Sequence, residues 1–507
     1  MVKKLNKKNI FEIVIIILIT IFCISLTPKT LQNDTFYTIK IGEHILQTGK
    51  VDMLEHFAWH SNLEYTYPHW LYDVIIYLIY SFGEMIGIYI STCLFAIILG
   101  ISIYKVNSKI AKNQVISFII TLIAMYMLRD YIAARAQLVT FILFVLQIFC
   151  IEKLLDTSKK RYAISLIIIS ILIANLHVAV WPFMFILYLP YIAEYIMAIF
   201  EEKVAKKYGK EVKQGEKVLI IKRNGVKLLI ITMIICIFTG LLTPLGTTPY
   251  TYLLKTMQGN TTQSINEHQP LVLKNNSDMI CVLAVFLAIL AFTKFKIKVS
   301  DLIMLLGLIV LMFFSKRQAT ILILIGSIIL NKLIFELINK STKDIDEKVI
   351  SKVVNKFGIF VISAGILMLS LYFIKPKVKT PYIDENMYPV KMSNFIIEYF
   401  NNDFSDVRIY NEYNYGSYLL YRGIPVFIDS RADLYAPEFN EGSNIFSDFI
   451  ESSSLSVYFE DIFKKYDITH VILYKDSKIN MIIEKTNLEK YKLLKEDEKF
   501  VFYEIEK

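Results

Sequence analysis

Three acidic side chains and a histidine lie close together in the sequence just after the first apolar run of this 507-residue chain. The stretch NDTFYTIKIGEHILQTGKVD, residues 33–52, contains Asp34, Glu43, His44 and Asp52. A carboxylate can take a proton from an attacking hydroxyl group, or it can hold a divalent cation. The stretch is therefore either the ordinary polar surface of a loop that leaves a membrane or an acidic reaction centre at the membrane surface.

A second acid and several cations stand near the predicted ends of other apolar helices. Glu267 lies in QSINEHQP, and Arg129, Arg135, His177 and Arg317 lie at predicted outer helix ends. An arginine pairs two phosphate oxygens with its planar guanidinium, so these cations are candidates for holding a phosphate. Each also has a structural interpretation, such as an interfacial anchor for Arg317 or a hydrogen-bonded interfacial histidine for His177.

The composition indicates an integral membrane protein. The chain is 55% hydrophobic, and its mean hydropathy is +0.48. Its first apolar run, IFEIVIIILITIFCISL at 10–26, follows a cluster of lysines and meets the lower limit for a span, about 17 residues. We expect this run to be an uncleaved signal anchor and the first membrane helix.

Ten further membrane helices are predicted, which makes eleven in all. The run HWLYDVIIYLIYSFG at 69–83 is either another span or a helix that lies at the membrane interface. With 69–83 interfacial and the N-terminus cytoplasmic, the inward loops hold roughly 28 Lys and Arg, against roughly 9 in the outward segments before residue 375, as the positive-inside rule predicts. The ten predicted helices are 84–104, 114–128, 136–155, 162–176, 178–199, 228–243, 278–293, 299–314, 318–338 and 357–374.

This topology predicts a plasma-membrane protein of the cell envelope. It divides the chain into two domains. Residues 1–375 form an all-α transmembrane domain with external loops at 28–69 and 244–277. Residues 376–507 form an extracytoplasmic α/β domain, in which VRIYN, PVFID and HVILY read as strands and the two last apolar runs read as a hairpin. From Pro376 onward there are 16 basic and 23 acidic residues, so the excess of lysine lies among the membrane segments and argues against a nucleic-acid partner.

The first span, the loop after it and the 69–83 helix resemble the GT-C superfamily of membrane glycosyltransferases. The residues that carry the resemblance are Asp34, Tyr37, Ile45-Leu46, Gly49 and Asp52. It extends distantly to oligosaccharyltransferases and protein mannosyltransferases. The resemblance implies that Asp34 is the catalytic acid of the first loop and that the sugar donor is a polyprenyl phosphate.

Two further stretches resemble oligosaccharyltransferases more particularly. QSINEHQP is similar to an external-loop motif whose glutamate reaches the active centre, which implies that role for Glu267. The stretch NEYNYGSYLLYRGIPVFIDSRADLY, 411–435, resembles the Trp-Trp-Asp-Tyr-Gly region of their soluble domain, with Tyr415 at the Tyr position and Asn414 at the Asp position. We predict acceptor binding by Tyr415 from this resemblance, and by Asp429 and Arg431 as the polar end of a strand in FIDSRAD. For Asp429, Arg431 and Asp433, a structural salt-bridge cluster that fixes the loop is the favoured alternative.

These features predict an enzyme that moves a sugar from a polyprenyl-phosphate donor in the membrane lipid to a glycan, lipid or protein acceptor on the outer face. Asp34 and Glu267 would supply the base or share a divalent metal, Mg or Mn. Two alternatives stay open: a transporter or flippase, and a non-catalytic membrane scaffold whose external domain binds a partner. Charges are nearly absent from the helix centres and gather in external loops, which favours surface chemistry over transport.

Overall fold

The computed structural model describes residues 7–111, 113–209, 223–259, 261–292, 297–341, 356–486 and 489–506. The sequence predicts five inward loops between membrane helices, and four of them, 105–113, 201–227, 294–298 and 339–356, lie partly outside these residues. The structure is mostly helical with a small sheet near the C-terminus. The first helices are α1 Lys7–Leu26, α2 Asn33–Thr48, α3 Trp70–Ala111, α4 Gln114–Met127, α5 Ala136–Thr157, α6 Lys160–Leu176, α7 Trp181–Ile186 and α8 Leu189–Lys207.

The remaining elements continue in chain order. The helices are α9 Arg223–Thr239, α10 Thr248–Gln258, α11 Thr261–Ser264, α12 Ser277–Phe292, α13 Val299–Phe314, α14 Ala319–Ser341, α15 Lys356–Val378, α16 Val390–Tyr399, α17 Tyr413–Tyr421, α18 Ile445–Ser454, α19 Phe459–Lys465 and α20 Lys478–Thr486. The strands are β1 Ile409–Tyr410, β2 His470–Tyr474, β3 Tyr491–Glu496 and β4 Phe500–Ile505.

Helices occur at all of the predicted membrane positions. Among the described residues, five helical segments are long and apolar enough to cross a membrane, and shorter apolar helices accompany them. The predicted break between 69–83 and the next span is present, because α3 is interrupted at Glu84, whose φ of 46° and ψ of −143° are not helical. The predicted 178–199 span is split into α7 and α8, each of which starts with a proline in its first turn. The structure confirms a multi-helical membrane protein, and the count of eleven spans stays a prediction.

The chain divides into two compact units. The first, called the helical unit here, comprises Met1–Pro28, Ile90–Thr243 and Glu267–Lys379. The second, called the mixed unit, comprises Lys29–Tyr89, Pro244–Asn266 and Thr380–Lys507. The mixed unit therefore gathers most of both predicted external loops together with the C-terminal region.

The largely buried Lys332 side chain links three helices of the helical unit through charged hydrogen bonds. Lys332 on α14 donates to Glu152 of α5 and to Asp301 of α13, each at 2.8 Å. The Tyr191 hydroxyl donates to the same glutamate at 3.1 Å. A charge inside a helix bundle is costly unless it is paired, so this arrangement stabilises the packing of these helices.

The sheet of the mixed unit confirms the predicted C-terminal hairpin. The strand order is β1-β2-β4-β3, with β1 parallel to β2 and the other pairs antiparallel. The first four residues of β4 are buried, as are those of β2, which places the two central strands in the core. A register shift between Leu493 and Lys495 lies in β3, the edge strand.

PVFID does not form the predicted strand. Val426 makes only a single parallel bridge, with Ala58. The side chain of Asn411 instead serves the backbone here: it accepts from the Phe427 N–H at 2.8 Å and donates to the Ile428 carbonyl at 2.7 Å. Side-chain hydrogen bonds thus replace the ladder that a strand would have used.

The loop after the first span contains a helix, α2, that the sequence analysis did not predict. It ends at Gly49, whose φ of 67° is left-handed and whose N–H bonds the Ile45 carbonyl at 2.8 Å. Gly42 lies so close to α3 that an added Cβ would be 2.1 Å from the Asp73 carbonyl oxygen. The absence of a side chain at this position allows the backbones of α2 and α3 to approach each other.

Candidate functional site

The helical unit brings Arg135, Glu267 and Arg317 together, and these three residues are called the Arg135 cluster here. Arg135 precedes α5, and its guanidinium donates to the Glu267 carboxylate at 3.4 Å. Glu267 is held from the other side, because its backbone carbonyl accepts the Arg317 N–H at 3.0 Å. The Ser315 hydroxyl also donates to that carbonyl, at 3.3 Å. The turn between α13 and α14 therefore fixes the loop that carries Glu267.

The electrostatics of this cluster favour an anion. Burial would raise the pKa of the Glu267 carboxyl, but Arg135 and Arg317 outweigh it and lower that pKa below its usual value. Glu267 is therefore ionised, and it neutralises one of two arginines whose side chains stay partly exposed. Burial together with Arg317 lowers the pKa of the neighbouring His268 to about 4, so that residue is neutral at pH 7. The cluster keeps a net positive charge that a phosphate can neutralise.

The other two predicted phosphate ligands are engaged differently. Arg129 lies over the Tyr126 ring, with its guanidinium carbon 4.2 Å from the centroid, and it pairs loosely with Asp130 and Asp278 at 3.7 and 3.8 Å. His177 is buried at the end of α6, where its Nδ1 lies 3.0 Å from the Thr140 hydroxyl. Among the described contacts, neither Arg129 nor His177 touches Glu267. Phosphate binding by these two residues stays a prediction.

In the mixed unit, Asp34 lies in the first turn of α2, between residues whose side chains carry oxygen atoms. Its side chain is partly exposed. The buried side-chain oxygens of Gln32, Asn33 and Thr35 have no hydrogen-bond partner among the described residues. The Asn33 amide orientation is set by its NH₂ group, which donates to the Tyr413 carbonyl at 3.0 Å. Buried acceptors without donors are costly, so this end of α2 is suited to a hydroxyl-bearing ligand or a cation.

One turn further along α2 is a hydrogen-bonded chain that the sequence analysis missed. The Tyr37 hydroxyl is 3.1 Å from His69 Nε2, and His69 Nδ1 is 2.8 Å from the fully buried Asp73 carboxylate. A carboxylate behind a histidine fixes the tautomer and orientation of the ring. The available signal was the spacing of His69, which directly precedes α3, and Asp73 in the first turn of that helix, four residues later.

The predicted acceptor-binding residues lie inside the mixed unit. The buried Tyr415 hydroxyl donates to the Ile472 carbonyl at 2.7 Å, and Gly416 lies against the 428 carbonyl, 2.0 Å from where a Cβ would be. Arg431 binds Asp429 at 2.6 Å and Glu55 at 3.0 Å, and the side chains of all three, called the Arg431 cluster here, are at most 1% exposed. Acceptor binding by these residues stays a prediction, whereas their contacts show a salt-bridge cluster.

The two predicted metal ligands differ in their surroundings. Glu267 faces two guanidinium groups, which do not fit a divalent cation. Asp34 has amide and hydroxyl oxygens next to it in sequence, and such oxygens are the ligands that Mg and Mn prefer. A metal ion held by both residues therefore stays a prediction, and the oxygen donors beside Asp34 suit a hard cation better than those at Glu267.

Comparison with known proteins gives matches by structure and not by sequence. No protein-family model and no curated protein matches the chain. The oligosaccharyltransferase of Archaeoglobus fulgidus, tethered to an acceptor peptide with an NVT sequon, matches with a TM-score of 0.57 over 92% of this chain and 69% of its own, at 11% identity. ArnT from Cupriavidus metallidurans matches with a TM-score of 0.53 over 98% of both chains, at 9% identity.

ArnT bound to undecaprenyl phosphate gives the same result, with a TM-score of 0.54 over 97% of both chains and 8% identity. The chain has the GT-C fold. The resemblance that the first loop predicted is thereby confirmed for the architecture. Identities this low compare folds alone, so the function of this chain has to be argued from its own residues.

Proposed function

We propose that this chain is a glycosyltransferase that moves a sugar from a polyprenyl-phosphate donor to a hydroxyl acceptor at the outer face of the plasma membrane. The observation that carries the proposal is the net-positive, partly exposed Arg135 cluster in a chain that has the GT-C fold over nearly all of its length. One structural neighbour with this fold was solved with undecaprenyl phosphate bound. The inward lysine-rich loops support an external orientation of the mixed unit.

The Arg135 cluster is proposed to bind the donor phosphate. Arg135 and Arg317 supply the positive charge, and Glu267 positions them while neutralising one of the two. As the sugar leaves, the phosphate gains negative charge, and preorganised cations stabilise this charge more in the transition state than in the ground state. Glu267 acts through the arginines in this proposal, so it is a positioning residue.

Asp34 is proposed to be the base. The acceptor oxygen forms a bond to the anomeric carbon of the sugar while the bond from that carbon to the phosphate oxygen breaks. The electron pair of the broken bond leaves with the phosphate, and the proton of the acceptor hydroxyl passes to the Asp34 carboxylate. Asp34 itself is partly exposed, so an acceptor hydroxyl can reach its carboxylate from solvent.

A Mg or Mn ion, where the reaction uses one, would be held through the Asp34 carboxylate. Such an ion supplies Lewis-acid stabilisation of phosphate charge. The proposed proton transfer and phosphate binding involve the chain's own residues in either case.

A donor panel tests the proposal. Purified protein in detergent is incubated with radiolabelled polyprenyl-phosphate sugars of several sugar types and a cell-envelope lipid extract as acceptor. We expect one sugar to be released from its carrier, with free polyprenyl phosphate as the second product. Retention of every donor, together with no binding of polyprenyl phosphate to the protein, would contradict the proposal.

A further inference from the structure

Two histidines and one aspartate meet at the end of α2 in the mixed unit. His44 lies in the last turns of the helix, and Asp52 and His56 follow in the next segment. Asp52 Oδ2 is 2.9 Å from His56 Nε2 and 3.6 Å from His44 Nε2, and the two rings are 4.2 Å apart between centroids. One ligand atom from each of the three residues lies within 4.8 Å of the other two.

We propose that His44, Asp52 and His56 form a binding site for a divalent transition metal of the zinc type, with a water molecule completing the coordination. Zinc bonds to histidine nitrogen and aspartate oxygen are about 2.0–2.2 Å long, so tetrahedral ligand atoms stand roughly 3.3 Å apart. The observed distances from Asp52 Oδ2 to the two histidine Nε2 atoms, 2.9 and 3.6 Å, lie on either side of that value. Imidazole nitrogens favour zinc, copper, nickel or iron over magnesium and calcium, which sets the class of metal.

The surroundings of the His44 ring give an independent observation. The Nε2 atom of His44 is shielded from solvent and has no hydrogen-bond partner among the described residues. A buried ring nitrogen without a partner costs free energy, and a metal ion would satisfy it. The side chains of His44, Asp52 and His56 are 18%, 27% and 32% exposed, so an ion can reach them from solvent.

The surrounding residues orient the aspartate for this role. Asp52 Oδ1 accepts from the Leu54 N–H and from the Tyr67 hydroxyl, both at 3.2 Å, which leaves Oδ2 directed at the histidines. Tyr67 also bonds the Leu54 carbonyl at 2.9 Å, and the backbone at Met53 and Tyr67 has φ of 59° and 45°. Non-glycine residues with positive φ persist only where the surrounding structure holds them. Hydrogen bonds behind a ligating carboxylate are typical of metal sites.

This site is distinct from the proposed transfer chemistry. It uses neither Asp34 nor Glu267, and His56 has none of the roles predicted from the sequence. A metal here would join the C-terminal end of α2 to the segment 52–56, which stabilises the fold of the mixed unit. Metal binding can therefore be measured without any sugar donor.

The test uses full-length protein in detergent, purified without an oligohistidine tag and treated with chelator. Zinc is titrated by calorimetry, and cobalt is added separately because its visible absorption reports a low-symmetry site. We expect one zinc per chain, and a rise of a few degrees in the unfolding midpoint at a large excess of zinc over its Kd. His56→Ala and Asp52→Asn should each weaken zinc binding at least about tenfold, and Tyr67→Phe should weaken it about tenfold.

Glu43→Gln is the matched control, since it removes a partly exposed acid of α2 that pairs with Lys40 and borders His44 in sequence. We expect zinc affinity in this variant to equal that of the wild type. Circular dichroism of each variant confirms that it is folded. Equal zinc affinity in wild type, His56→Ala and Asp52→Asn, or no zinc binding by the wild type, would overturn the proposal.

Discussion

The Arg135 cluster and the Arg431 cluster are built from the same residue types and have opposite characters. In the helical unit, two arginines share one carboxylate, and the Arg135 and Glu267 side chains are 28% and 42% exposed. In the mixed unit, one arginine is bound by two carboxylates, with no more than 1% of any side chain exposed. The first has spare positive charge that solvent can reach, whereas the hydrogen-bonding groups of the second are occupied inside the fold.

This difference shows which arginine groups can serve a ligand. In the Arg431 cluster, Tyr435 donates to Asp429 at 2.6 Å, and the Phe57 and Ala58 N–H groups each donate to Glu55 at 2.7 Å. Those bonds leave no open face for a substrate. The Arg135 cluster, by contrast, lies at a helix end and in a turn, where its side chains stay partly exposed. Stability should therefore depend on Arg431, and donor binding on Arg135 and Arg317.

The largest expected effect is on stability. Arg431→Ala leaves Asp429 and Glu55 buried without their cation, which should lower the free energy of unfolding by about 3–5 kcal/mol. Thermal unfolding in detergent measures it. The matched control is Arg408→Ala, which removes a solvent-exposed pair with Asp467 and should cost at most about 1 kcal/mol. Equal midpoints for both variants would show that the buried cluster is not what holds the mixed unit.

A buried carboxylate that is bound by backbone amides instead of an arginine should give a pH effect of intermediate size. Burial raises the pKa of Glu412 to about 7, although the Tyr474 N–H donates to it at 3.2 Å. The folded state thus binds a proton more tightly than the unfolded one, whose pKa is near 4.5. Stability should fall as pH rises from about 4.5 to about 7 and be constant above, by up to about 3 kcal/mol.

Glu412→Gln separates this contribution from those of other groups. The variant should lose the part of the pH dependence between pH 4.5 and 7 while still accepting the backbone hydrogen bonds. Unfolding midpoints of both proteins across that range measure it. Identical pH profiles would mean that Glu412 is ionised in the folded state, as Glu267 is.

The Arg135 cluster should show its effect in binding. Arg317→Ala removes a charged hydrogen-bond donor and should weaken binding of a polyprenyl phosphate by about tenfold to a hundredfold, with an unfolding midpoint close to that of the wild type. Arg317→Lys should recover only part of the affinity, because the bidentate geometry is lost. Isothermal titration in detergent gives the affinities. Unchanged affinity in both variants would make Arg317 an interfacial anchor only.

The sequence predicted the helices of the membrane region well, because long apolar runs and lysine-rich loops are local signals. It missed α2, whose mixed polar and apolar residues read as a loop after a span. It left Asp429 and Arg431 open between ligand binding and a salt bridge, because the deciding partner, Glu55, is 376 residues away in the chain. PVFID likewise has strand-forming residues, but the distant Asn411 side chain takes over its backbone hydrogen bonds.

Turnover by the Asp34→Asn variant tests the central claim most directly, namely the proposal that this chain transfers sugar with Asp34 as the base. The substitution keeps the size of the side chain and removes the charge that proton transfer requires. With the donor identified by the panel, turnover should fall by at least about a hundredfold, with folding intact. The Glu43→Gln variant, which changes a partly exposed acid of the same helix, should stay within a few-fold of the wild type. Full turnover by Asp34→Asn would contradict the account and leave the first acidic stretch as ordinary polar surface.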